Sequence, residues 1–119
     1  MGKYQRNKGA SFERRRARWW QKLGWSEARR NLSQYQKRDG KDIVNTEPYV
    51  EQCKVGKRIS VLAAYKEAKE SASSREIPIA SIHYDGERDT LIVLSEKDFE
   101  WLLRGSNPKE KEAVQNFSK

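Results

Sequence analysis

The 119-residue chain predicts an α/β fold, a mixed β-sheet flanked by helices, with elements in the order α-β-β-β-α-β-β-α. Apolar residues recur at helical spacing in some windows and alternate at strand spacing in others. Glycine-bearing turns at Gly40, Gly56 and Gly86 separate these windows into short elements.

Residues 1–8, MGKYQRNK, are polar and basic and are expected to form a flexible N-terminus. Helical periodicity begins near Gly9, with Phe12, Trp19, Trp20 and Leu23 on one stripe and Arg14, Arg15, Arg18 and Lys22 around the rest. Gly24 is the helix stop. An edge strand is expected around Arg29–Ser33, followed by a basic loop, Gln36–Lys41. Two short strands, about 42–45 and 48–55, flank a Thr-Glu-Pro turn that puts Pro48 at a strand start.

Residues 59–72 read as a helix with Val61, Ala64, Tyr65, Ala68 and Ala72 on one side. Ile77–Tyr84 and Thr90–Leu94 are strands joined by a hairpin turn over Asp85–Asp89. Ser95 with Asp98 three positions later is a capping signal. It opens a helix with Phe99, Leu102 and Leu103 toward the core, and Gly105 ends it. Trp101 lies off that stripe and is a candidate subunit contact. Residues 9–105 thus form one domain, and 106–119, with Pro108 and mixed charge, are expected to be disordered.

The formal charge of +8 and a pI near 9.7 favour a polyanionic partner, nucleic acid being the commonest. The plainer reading is a basic soluble protein. No apolar run approaches the ~20 residues of a membrane span. No apolar stretch follows Met1. One cysteine and one histidine exclude an internal disulfide, a thiolate zinc site and a histidine-rich metal site. A reducing, cytoplasmic setting is the simplest expectation.

The segment Asp42–Lys54 carries the chemistry. Along a strand, Gln52 and Lys54 share a face and Cys53 points away. With Glu13 from the first helix, this makes two carboxylates, an amide and an ammonium able to converge. Magnesium takes oxygen ligands, keeps several waters and needs only one or two protein carboxylates. Asp42 and Glu13 would supply these, the Gln52 amide oxygen a third ligand and the Cys53 carbonyl a fourth. Such a metal lowers the pKa of a bound water and polarises a phosphate. Lys54 would orient that water and stabilise growing charge.

Plainer readings stand beside each residue. Asp42 fits ordinary turn chemistry after Gly40. Glu13 suits the first turn of a helix. Cys53 is a small core residue rather than a nucleophile. His83 is structural or exposed. Trp19 and Trp20 are core or interface residues rather than base-stacking platforms. Arg14, Arg15, Arg16 and Arg18 form either a solvated face or, in part, a phosphate-facing one.

Glu13 in KGASFER, Asp42 in GKDIV, and Gln52-Cys53-Lys54 after a β-type run resemble the PD-(D/E)XK nuclease superfamily. Within it the layout is most similar to small archaeal-type and phage Holliday junction resolvases, over roughly residues 8–104. The resemblance implies a restriction-endonuclease-like core, a Mg²⁺- or Mn²⁺-dependent endodeoxyribonuclease, and a C2 homodimer that makes paired nicks in a prokaryotic or phage-infected cytoplasm. It assigns catalysis to Glu13, Asp42, Gln52 and Lys54. DNA-contact candidates are Lys8, Arg14, Arg30, Arg38, Lys41, Lys57 and Arg58. Ser33 joins them because the family often carries a functional serine before the Asp strand. Alternatives are a phage nuclease acting on other branched or linear DNA, and a DNA-binding module that lost catalysis.

The departure is Gln52, where the family usually has Glu or Asp. Either Gln52 is itself a ligand, or a strand bulge brings Glu51 inward, or the site is weakened or dead.

Overall fold

The computed structural model describes residues 3–32 and 41–105. In it the chain runs α1 (Lys3–Lys22), β1 (Arg29–Arg30), β2 (Ile43–Val44), β3 (Tyr49–Gly56), α2 (Val61–Ser71), β4 (Ile77–Tyr84), β5 (Leu91–Val93) and α3 (Glu96–Arg104). This is the expected α/β order. Ser33, Arg38 and the expected tail at 106–119 lie outside the described residues.

β3, α2 and β4 form a parallel β-α-β unit, and β5 returns antiparallel on β4. The β3–β4 ladder is unbroken from Tyr49↔Ile77 to Gly56↔Tyr84, so no bulge interrupts that pairing around Glu51 and Gln52. β1 and β2 make a short antiparallel pair, Arg29↔Val44 and Arg30↔Ile43. They join the open edge of β3 through Asp42, whose N–H donates to the Glu51 carbonyl at 3.2 Å. The turn back into β3 uses Asn45 at φ 66°, a left-handed position that asparagine tolerates, and its side chain donates to the Glu27 carbonyl.

Side-chain alternation assigns the two faces of the sheet. Tyr49, Glu51 and Cys53 pair with Ile77, Ile79 and Ser81, and this face packs under α1, with Ala17, Trp20, Ala28 and Ile43 in one apolar cluster. Gln52 and Lys54 pair with Ala80 and Ile82, the face covered by α2 through Ala64. Small side chains at Ala64 and Ala68 let α2 lie close. Ser60 caps α2 by accepting from the Ala63 N–H. Leu102 of α3 and Leu94 pack on the α1 side.

Three expectations need correction. α1 begins at Lys3, not near Gly9, because residues 3–8 contain no helix breaker and Lys8 anchors that turn by an ion pair to Asp85 at 2.9 Å. The buried strip of α1 is Phe12, Arg16, Ala17 and Trp20, while Trp19 and Leu23 are exposed. Hydropathy assigns an arginine to the outside, but Arg16 meets a buried acid. In α3, Phe99 and Leu103 are exposed, no residue is buried, and only Leu102 packs inward. Its cap is as read: the Ser95 Oγ accepts from the Asp98 N–H at 3.1 Å. Trp101 is exposed. No described helix is long and apolar enough to cross a membrane.

Candidate active site

Asp42 sits just before β2, at the edge of β3, and is buried. Its Oδ2 accepts from the Cys53 N–H at 2.7 Å, so the side chain continues the sheet edge by capping an otherwise open backbone donor. Burial pushes the Asp42 carboxyl up from 3.8 to about 7. The Cys53 hydrogen bond and Lys54 oppose that rise, and the charges of Glu13 and Glu51 add to it. Glu13, Lys54 and Glu51 therefore all lie within electrostatic reach of Asp42.

Glu13 reaches this region from α1, where its Oε1 accepts from Arg30 Nε at 3.0 Å. Both side chains are mostly shielded from solvent. Lys54 approaches from the α2 face and pairs with Glu67 of α2 at 3.1 Å, partly exposed. Gln52 is buried on that same face, and its backbone carbonyl accepts from the Ser81 hydroxyl at 3.4 Å. The structure thus brings Asp42, Glu13 and Lys54 into one neighbourhood. Gln52 and Lys54 share a face, as strand alternation requires, but Glu13 enters from the other side of the sheet.

Glu51 faces away from Gln52, as the unbroken strand alternation requires, and no bulge brings it inward. It is fully buried under α1. Arg16 Nε donates to Oε2 at 2.6 Å, Arg16 NH2 to Oε1 at 3.3 Å, and Trp20 Nε1 to Oε1 at 2.6 Å. The Cys53 thiol lies 3.5 Å from Oε2. Burial, then the Glu51 and Asp42 charges, pushes that thiol well up. This keeps it protonated and inert, in line with a core role. The Arg16–Glu51–Trp20 network escaped the sequence reading. One signal was present: Arg16 lies four residues from both Phe12 and Trp20, on the buried side of the helix.

Among the described DNA-contact candidates, Lys57 and Arg58 are exposed between β3 and α2, near Asp85, whose N–H donates to the Gly56 carbonyl. Lys8 meets the same Asp85, and Lys41 pairs with Glu76 at 3.6 Å. His83 contacts Thr90 and the Phe12 ring, a structural setting.

Comparison of the chain with protein-family models, curated proteins and solved structures finds no match.

For a divalent cation, the donor chemistry fits in part. Two carboxylates, Asp42 and Glu13, lie within reach of each other, and one is a buried acid whose ionisation a cation would favour. Among the described residues, no three His, Cys, Asp or Glu side chains are gathered into a ready cage. Glu51 is committed to Arg16. A cation would therefore rest on Asp42 and Glu13, with water or phosphate oxygens completing the shell.

Proposed function

We propose that this protein is a metal-dependent DNA endonuclease of the PD-(D/E)XK type with a restriction-endonuclease-like core, acting on four-way junctions as a homodimer. The observation that carries the reading is Asp42: an acid held at the sheet edge, mostly withdrawn from water, with Glu13 and Lys54 in electrostatic reach. A purely structural hydrogen bond to Cys53 would be made as well by asparagine, without the cost of a buried carboxyl. A Mg²⁺ or Mn²⁺ ion supplies a lower pKa for bound water and polarises the phosphate. The chain's own part is to hold the ion on Asp42 and Glu13, and to place the Lys54 ammonium beside the scissile phosphate once it turns from Glu67. A cytoplasmic setting accords with this reading.

One observation favours the alternative of a DNA-binding module without catalysis. Glu51 is locked to Arg16 and Trp20, and the usual acid position holds Gln52. A single assay separates the two: a labelled four-way junction incubated with Mg²⁺, Mn²⁺ or EDTA. Metal-dependent nicking that disappears in Asp42→Ala, with junction binding retained, is the expected result. Binding without nicking under either metal establishes the alternative.

A further inference from the structure

Between α1 and β1 lies a groove of about 320 Å³ lined by Arg14, Ala17, Arg18, Gln21, Arg29, Arg30 and Leu32. Helical spacing puts Arg14, Arg18 and Gln21 on one strip, with Ala17 leaving room beside it. Gln21 ties the two walls together by donating to the Ala28 carbonyl at 2.7 Å. Arg14, Arg18 and Arg29 are exposed, and none has an ion pair among the described residues. Arg30 is different: it lines the same groove and holds Glu13 through Nε. Three unneutralised guanidiniums around one cleft repel each other, and a ligand that spreads negative charge along the cleft removes that cost. A phosphodiester backbone does this, and guanidinium forks match its oxygens two at a time.

We propose that this groove is a phosphate-backbone track, and that a phosphate arriving at its end takes Arg30 from Glu13 and so frees Glu13 for the divalent cation. The proposal rests on the nuclease reading for the role of Glu13, but the track itself does not. Free protein then holds metal weakly because Arg30 occupies the Glu13 carboxylate. Bound DNA removes the competitor. The metal site is then completed only on substrate.

Two binding measurements test this, neither of which needs cutting. The first is fluorescence anisotropy of a labelled 20-base-pair duplex in EDTA across a KCl series. Replacing Arg14, Arg18 and Arg29 together by glutamine is expected to flatten the log–log salt slope by about 0.9 for each phosphate that is no longer neutralised. An unchanged slope overturns the track, as does an acidic peptide that binds the groove more tightly than the duplex does. The second reads free Mn²⁺ by electron paramagnetic resonance, without DNA. Arg30→Gln is expected to tighten Mn²⁺ binding roughly tenfold, the exchange of a part-buried ion pair for a ligand. Arg30→Lys, which keeps the cation, should gain less. The gain must vanish in Glu13→Gln/Arg30→Gln. If it survives there, it is only the loss of a distant positive charge, and the hand-over is wrong. Far-UV circular dichroism confirms folding of each variant. A protein that passes both tests yet never nicks a junction refutes the nuclease and keeps the track; one that nicks with unchanged slopes and Mn²⁺ affinities refutes the proposal alone.

Discussion

At the scale of single residues, Asp42 sets stability against chemistry. Its carboxyl is protonated more readily in the folded chain, near 7, than at its ordinary 3.8. Its contribution to stability is therefore full below about pH 4 and is lost as pH rises toward about 7, because the unfolded chain releases that proton first. Asp42→Asn keeps an oxygen for the Cys53 N–H and removes the titration. The variant is expected to be more resistant to urea than wild type at pH 8, by a few kcal/mol at most, and nearly equal at pH 3. Metal-dependent cutting should be lost. A variant less stable than wild type at pH 8 would show that the ionised carboxylate is itself a stabilising partner. The neighbours on β3 separate as cleanly. Glu51→Ala leaves Arg16 buried without its counter-charge, at about 3–5 kcal/mol. Gln52→Ala should cost far less stability but most of the activity, and Gln52→Glu should keep or raise activity. Activity that survives Gln52→Ala in a junction gel would remove Gln52 from the site. The alternation of Gln52, Cys53 and Lys54 was legible in the sequence because a strand's period is two. The burial of Glu51 was not, because its partners lie 31 and 35 residues away, on α1.

At the scale of elements, the strands were readable and the helix faces only partly so. β4 carries Ile77, Ile79 and Ile82, β3 opens on Tyr49-Val50 and carries Val55, and Pro48, Gly56 and Asp85 bound them, so residue type and turn signals together mark these strands. Ser60 and Ser95 mark two helix starts through one hydroxyl each. The face of α1 was misplaced because its central contact is polar: Arg16 stacks 4.1 Å over the Trp19 ring and reaches past it to Glu51. Hydrophobic periodicity is blind to such an anchor. Trp20 is the testable part of it. Trp20→Phe keeps an aromatic ring beside Tyr49 and Trp25 but removes the Nε1 donor to Glu51. The expected loss is about 1–3 kcal/mol, seen as a lower urea midpoint with unchanged slope. A loss no larger than that of an exposed substitution would mean that Arg16 alone satisfies the acid.

At the scale of the whole molecule, charge and apolar surface are segregated. The groove between α1 and β1 gathers arginines, whereas the C-terminal end of α1, β5 and α3 surround an apolar cleft of about 400 Å³ that includes Leu23, Ile92, Leu94, Phe99 and Leu102. Such exposed apolar surface was not legible in the sequence, where Phe99 reads as core, because nothing local tells a helix whether its apolar face meets its own sheet or something else. The proposed homodimer gives that face a partner: a C2 interface needs one self-complementary patch with an apolar centre. Leu23 and Phe99 are about half exposed at the rim, at 54% and 51%, so aspartate at either position adds charge there without opening a buried core. Sedimentation is expected to show a dimer for wild type and a monomer for Leu23→Asp and Phe99→Asp, with unchanged circular dichroism. Each variant should still nick a junction strand with metal but lose the paired nicks that release two duplexes, because the two active sites are no longer held in fixed relation. If both variants remain dimeric, the interface lies elsewhere. If wild type is monomeric at every concentration with and without junction, paired resolution by a homodimer is excluded, and cutting of other branched or linear DNA becomes the activity to test.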